Sequence, residues 1–235
     1  AQQWSELKYR DQERRELLAN ISHDLRTPLT SLHGYLEALS LKFETLAEPE
    51  RRRYLSIALG QSSKVGHLAQ SLFELARLEH GQIQVAPEAF SLADLLQDVF
   101  EKFELAAEAR RIQLLANIPQ RLPEVYADLG MIERVLTNLL DNAIRHTPER
   151  GVIEVALALR DEQVVVTVSD TGPGIPVELR ETLFQRPVNV GGHTQRIGGL
   201  GLLIVQQILH LHGSQIALVE REGKGSTFVF ALKTP

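Results

Sequence analysis

Apolar residues in the first third of the chain return at helical intervals. Between about residues 5 and 46 they fall at Leu18, Ile21, Leu25, Leu32, Leu36, Leu39 and Phe43, in steps of three, four or seven, which predicts one long helix with a sticky seam. A polar break and Pro49 interrupt it. From about 50 to 79 the pattern resumes with Leu55, Leu59, Val65, Leu68, Leu72 and Leu75, and Gly81 supplies a stop. A hairpin of this length cannot surround its own seams. It is expected to pack against a second copy as a four-helix bundle, a homodimer; the alternative packs both seams against the rest of the chain.

After Gly81 the rhythm changes. Short β-rich runs at 112–118, 151–159, 163–170, 214–220 and 225–232 alternate with helical patterns at 91–109, 131–146 and 200–212. Two adjacent strand pairs favour an antiparallel or mixed sheet layered with helices over a doubly wound parallel one. The fold class read from the pattern is therefore α+β, a helical hairpin followed by an α/β sandwich.

Composition narrows the chemistry. The chain has 235 residues, enough for two domains, with 43% hydrophobic residues and a formal net charge of −5. Its basic residues form short clusters such as 51–53, so nucleic acid is not the expected partner. With no cysteine, disulfides and thiolate metal sites are excluded, and function must run on His, Asp, Asn, Arg and backbone groups. No apolar run reaches the roughly 18 to 20 residues of a membrane span. The chain starts at Ala1 without methionine, and a membrane anchor upstream is left open.

Within 131–146, Ile132, Val135, Leu136, Leu139, Leu140 and Ala143 make one face, while Asn138, Asn142, Arg145 and His146 recur on another. Asparagine is a mediocre helix former, so two of them four residues apart with cations one turn later suggest a ligand. Their carboxamide oxygens suit a hard cation such as Mg²⁺ shared with a polyphosphate, and Arg145 suits phosphate oxygens; the plain alternative is a solvated polar face. Further on, SDTGPGIP (169–176) turns from Asp170 through Gly172 and Gly174, where backbone can approach a flat ligand and a carboxylate can accept an exocyclic N–H. The loop 188–199 leads through Gly198, Gly199, Leu200 and Gly201 into an apolar helix, a start that suits an anion and a segment that suits a lid.

A second constellation lies upstream. In ISHDLRTPLT (21–30), His23 stands beside Asp24, a pairing that serves equally a catalytic pair, a surface pair or a stray metal ligand. His23 lies two residues from both Ile21 and Leu25, about 200° around the helix from each, so it points away from their seam. Pro28 has no N–H for the carbonyl of Asp24, and its ring loosens the helix there, as a hinge or as a kink shaped only by packing. His33, His67, His80, His193, His210 and His212 form no convincing ligand set.

Taken in order, NLLDNAIRH (138–146), DTGPG (170–174), GGLGL (198–202) and GKGSTF (223–228) resemble the four-part nucleotide site of the histidine kinase and GHKL ATPase superfamily, and SHDLRTPLT (22–30) resembles the H-box of sensor histidine kinases. The resemblance covers nearly the whole chain. It implies a GHKL (Bergerat) domain binding ATP with Mg²⁺: Asp170 would read the adenine amino group, Asn142 with Asn138 would hold the metal, and Arg145, His146, Gly172, Gly174, Gly199, Leu200, Gly201 and Thr227 would line the nucleotide. His23 would take the γ-phosphoryl group and pass it to an aspartate of a response-regulator receiver domain, with Asp24 as proton partner. Thr27 would serve a phosphatase activity toward that regulator. It implies domains at 1–15 (incoming signalling helix), 16–80 (dimerisation and phosphotransfer) and 81–235 (catalytic), in the cytoplasmic part of a bacterial inner-membrane protein that meets the membrane only through an upstream segment.

Two rivals stand beside this reading. GHKL ATPases carry a glutamate where this chain has Asn138, and an amide cannot activate water, which argues against direct hydrolysis. A non-catalytic nucleotide-binding scaffold draws support from two departures from the family pattern, Ile197 before the second glycine box and RPVN at 186–189, where Arg186 or Arg196 would have to replace a phosphate contact.

Overall fold

The computed structural model describes residues 2–79, 83–180, 183–184, 200–219 and 225–235, with backbone alone at 2–21 and 79. The described residues up to 76 form one compact unit and those from 77 onward another.

The first unit is a hairpin of α1 (Gln2–Lys42) and α2 (Glu48–Glu79), the latter ending just past its boundary. The first helix ends four residues earlier than the apolar pattern suggests, because the Lys42 carbonyl collects the N–H groups of Thr45 and Leu46 at 3.0 and 2.9 Å and the Thr45 hydroxyl at 3.1 Å. At the start of α2, the Glu50 carboxylate accepts the Ala47 N–H at 3.2 Å while the Ala47 carbonyl accepts the Glu50 N–H, a reciprocal cap that fixes the turn.

The single expected seam divides in two. Leu39 and Ala58 are buried, and Tyr35 meets Tyr54 edge to face with ring centroids 5.2 Å apart. Leu29, Leu36 and Phe43, seven residues apart, stay 46%, 47% and 51% exposed, with Leu55, Leu59 and Phe73 exposed on α2. One partner helix covers only one stripe of its neighbour, so the flanking stripe is left over.

The second unit runs β1 (Glu88–Phe90), α3 (Leu92–Ala109), β2 (Gln113–Asn117), β3 (Val125–Ala127), α4 (Leu129–His146), β4 (Val152–Arg160), β5 (Gln163–Asp170), α5 (Val177–Arg180), α6 (Leu200–Leu211), β6 (Ala217–Leu218) and β7 (Thr227–Lys233). The main sheet has the order β2-β4-β5-β7-β6, parallel only between β2 and β4, and β1 pairs with β3 in a small antiparallel ribbon. The mixed sheet expected from the sequence is present. Its one parallel step needs a crossover, and α4 supplies it. Asp161 and Glu162, both at positive φ (46° and 59°), close β4 onto β5.

One face of this sheet holds Ile153, Val155 and Leu157 of β4, Val164, Val166 and Val168 of β5, and Phe228, Phe230 and Leu232 of β7, all buried. Against it pack α4 and α6, with α3 beside α4. Side chains cap both longer helices at their starts. Ser91 accepts the Asp94 N–H at 3.3 Å, and Asp128 accepts the Met131 N–H at 3.0 Å, so α4 begins two residues before the apolar pattern does. At the end of α6, Gly213 (φ 65°) and Ser214 return their N–H groups to His210 and Leu209, which consumes residues expected to be strand and leaves β6 only two residues long.

Leu136 of α4 is fully buried between these layers. Leu136→Ala is expected to lower the unfolding free energy of this unit by about 2 to 5 kcal/mol, a large share of a typical domain's stability, measurable by denaturant titration.

Candidate active site

Three chain ends converge at the C-terminal end of β5. Asp170 is only 5% exposed, and its Oδ1 accepts the Gly172 N–H at 2.7 Å. From the opposite turn, Ser226 offers its carbonyl to the Asp170 N–H at 3.0 Å and its hydroxyl to the carboxyl group. A Cβ on Gly225 (φ 119°) would stand 1.9 Å from the Asp170 carbonyl oxygen, and one on Gly174 (φ 78°) would meet the Gly225 carbonyl at 3.1 Å. Only glycine permits this approach. The third side is the end of α4: a Cβ on Gly172 would lie 3.0 Å from the His146 carbonyl, and His146 feels the Asp170 charge.

The polar stripe of α4 leads into this point. Asn138 and Asn142 are half-buried, while Arg145 and His146 are exposed, Arg145 paired with Asp141 one turn back. Asn138 sits where α6 begins: a Cβ on Gly201 would lie 3.4 Å from its Oδ1, and its buried Nδ2 has no hydrogen-bond partner among the described residues. Leu200 is buried beside it.

No group of three or more His, Asp or Glu side chains gathers among the described residues, so they make no all-protein metal cage. Asn138 and Asn142, one turn apart, carry carboxamide oxygens that fit Mg²⁺, which keeps waters and phosphate oxygens as most of its ligands, while the Asn138 Nδ2, unsatisfied among the described residues, is a donor that suits an anionic oxygen.

One expected contact is corrected. Thr227 pairs with Ser169 across the β5/β7 ladder, their hydroxyls 3.1 Å apart, on the sheet face away from Asp170. Alternation is the cause: Phe228, Phe230 and Leu232 point to the helix-covered face, so Ser226 shares that face and Thr227 does not. Ser226 holds the position that Thr227 was expected to hold, and the even-numbered apolar residues of β7 were the signal for it. Gly198, Gly199, Ile197, RPVN at 186–189 and Arg196 lie outside the described residues.

On the hairpin, the His23 side chain is 56% exposed and that of Asp24 33%. Nδ1 of His23 faces Oδ1 of Asp24 at 4.0 Å, a charge-pairing distance beyond hydrogen-bond length. The Thr27 hydroxyl donates back to the His23 carbonyl at 3.3 Å. The helix runs unbroken through buried Pro28, which supplies no N–H to Asp24.

The site beside Asp170 holds two shifted groups. Burial raises the Asp170 carboxyl above its ordinary 3.8, against the Gly172 and Ser226 hydrogen bonds. Burial, then Arg145, lowers His146 below 6.5, opposed by Asp170 and helped by Arg110. Folded Asp170 holds its proton to higher pH than the unfolded chain does, so stability falls as pH rises through that interval. His146 runs the other way, and stability rises with pH in the interval below 6.5. Asp170→Asn removes the first loss and should leave the melting temperature at pH 7 unchanged or higher while abolishing adenine-nucleotide binding, checked by calorimetry and titration of the same sample.

Comparison with known proteins agrees with this geometry. Residues 127–235 match the family described as histidine kinase-, DNA gyrase B- and HSP90-like ATPase, and residues 13–81 match the His Kinase A (phospho-acceptor) domain. The chain is 34% identical over 233 residues to the adaptive-response sensory kinase SasA of Synechocystis sp., covering 97% of this chain and 60% of the relative, and 33% identical to the sensor histidine kinase WalK of Bacillus subtilis, covering 94% and 37%. It therefore spans only part of these relatives. Among solved structures, the histidine kinase ThkA in complex with the response regulator protein TrrA superposes with a TM-score of 0.76 at 26% identity, covering 100% of this chain and 67% of that one. The isolated ThkA catalytic domain matches at 31% identity and a TM-score of 0.57, covering 63% of this chain and 97% of that one. An Asp170-centred ATPase fold joined to a phosphoacceptor hairpin thus makes this chain a member of the sensor histidine kinase family.

Proposed function

We propose that the chain is the cytoplasmic catalytic portion of a bacterial sensor kinase that phosphorylates His23 with ATP and passes the phosphoryl group to an aspartate of a response regulator. The carrying observation is the pairing of a buried, glycine-walled carboxyl at Asp170 with an exposed imidazole at His23 on a separate unit. Domains divide at 1–15, 16–80 and 81–235, and any membrane contact belongs to an upstream segment.

Asp170 accepts the exocyclic amino group of adenine, and Gly172 and Gly174 let the backbone lie against the base. Ser226 steadies Asp170. His146, its proton affinity lowered by desolvation and by Arg145, borders the ring, while Arg145 meets phosphate oxygens. Asn142 and Asn138 would hold Mg²⁺, which would supply charge neutralisation at the polyphosphate when bound. Leu200 and Gly201, at the start of α6, frame the phosphates.

His23 then attacks. With Nδ1 turned to Asp24, its proton is held there and Nε2 presents its lone pair to the γ-phosphorus; the N–P bond forms as the bond to the bridging oxygen breaks, ADP departs, and the Nδ1 proton passes to Asp24 or solvent. The exposed Asp24 carboxylate closes the 4.0 Å gap by rotation or through one water. Thr27 lies one turn along and orients water for regulator dephosphorylation once its hydroxyl leaves the His23 carbonyl. Asn138 in place of a carboxylate disfavours direct hydrolysis.

Incubation with Mg²⁺ and γ-labelled ATP should give acid-labile label on the protein that His23→Gln removes. Rapid phosphate release without labelled protein would sink the kinase reading in favour of an ATPase, and nucleotide binding with neither would favour a scaffold.

The uncovered stripe of Leu29, Leu36 and Phe43 supports dimerisation through the hairpin. Leu36→Glu, half-exposed within one chain, should convert a dimeric mass in light scattering to a monomeric one without loss of nucleotide binding; an unchanged dimer would place the interface elsewhere.

A further inference from the structure

The C-terminal end of α4 carries Arg145 and His146 to the nucleotide site, yet the chain beyond it provides little to hold it. Residue 148 is proline, so it has no N–H to offer the Ile144 carbonyl and drives Thr147 out of helical geometry, to ψ 130°. The carbonyls at this end need donors from elsewhere.

Arg110 supplies them. It caps the end of α3, and from there its Nη1 donates to the Ile144 carbonyl and its Nη2 to the Thr147 carbonyl, the latter at 2.9 Å. Neighbouring contacts join the same two helix ends. Arg111, held at a left-handed φ of 54°, pairs with Glu149 at 2.9 Å, and the Gln113 N–H donates to the Gly151 carbonyl at 2.9 Å. Because a guanidinium presents paired donors in a fixed plane, it fixes the direction of the helix end as well as bonding to it.

We propose that Arg110 is a positioning residue for nucleotide binding, which acts by capping α4 so that Arg145 and His146 stay aimed at the ligand beside Asp170. This rests on the ATP-site reading above. Its guanidinium is committed to backbone carbonyls, so it acts through α4 and not by touching the nucleotide. The charged groups facing His146 are Arg145 and Asp141 on its own helix, Asp170 at the end of β5, and Arg110 itself.

The test uses the whole chain, as wild type and as Arg110→Ala, Arg110→Gln and Arg110→Lys. Calorimetry measures binding of a non-hydrolysable ATP analogue with Mg²⁺, and imidazole NMR follows the titration of His146. Arg110→Ala should weaken binding about tenfold and move the His146 titration upward. Arg110→Gln, which keeps a donor but no charge, should move the titration with a smaller loss of affinity. Arg110→Lys should hold affinity within about threefold of wild type and leave the titration in place. Wild-type affinity and an unmoved titration in folded Arg110→Ala overturn the proposal, as does a loss in the lysine variant equal to that in alanine. Should the alanine variant not fold, the glutamine and lysine variants carry the same comparison. A wild-type chain that binds no analogue would refute the nucleotide reading instead.

Discussion

The catalytic unit is organised around burying one carboxyl group. Placing Asp170 at the closed end of β5 removes it from water, and the cost of desolvation appears as its raised affinity for a proton. The surrounding design reduces that cost without abolishing it, with the backbone N–H groups of Gly172 and Ser226 and the Ser226 hydroxyl. Each donor demands a tight turn. Gly225 cannot carry a side chain because the Asp170 carbonyl fills that space, and Gly174 must pass under Gly225 in turn. A carboxyl left with unused acceptor capacity in a dry, walled position is a poor stabiliser of the fold and a good reader of an N–H donor on a ligand.

The same logic extends along α4. Its inner face is pure packing, and its outer face carries groups that do nothing for the apolar core: at Asn138 an amide nitrogen unsatisfied among the described residues, and at His146 an imidazole whose proton affinity is lowered by desolvation and neighbouring cations. Stability and ligand recognition are thus divided between two sides of one helix. The division works only if the helix cannot rotate or fray, which is why its start is capped by Asp128 and its end is held from α3.

Much of this was legible in the sequence, because the informative patterns are local. Period-three-and-four runs gave the hairpin and α3, α4 and α6 of the second unit, and alternating runs gave β2, β4, β5 and β7 close to their observed bounds. The short elements were not legible. β1 and β3 are three residues each, too brief for alternation to register, and they form only because they pair with each other across intervening chain. The shift from Thr227 to Ser226 is a matter of strand phase. The motif supplied a serine and a threonine side by side, and only the sheet face, set by Phe228 and Phe230, decides which one meets Asp170. Arg110 was invisible for another reason, since its partners are backbone carbonyls 34 and 37 residues away and carry no sequence signature.

The hairpin shows a limit of the opposite kind, in which the pattern was read correctly and interpreted too simply. Leu25, Leu32, Leu36, Leu39 and Phe43 look like one stripe when counted by spacing. Leu39 is buried, while Leu36, about 60° around the helix from it, and Phe43, just past the helix end, remain half-exposed. His23 occupies neither stripe. It stands on an open face one turn before a proline that the helix passes through intact, so its imidazole can be reached without unpacking the seam that holds its helix in place. Separating this face from both apolar stripes leaves the imidazole and the uncovered leucines accessible independently of each other.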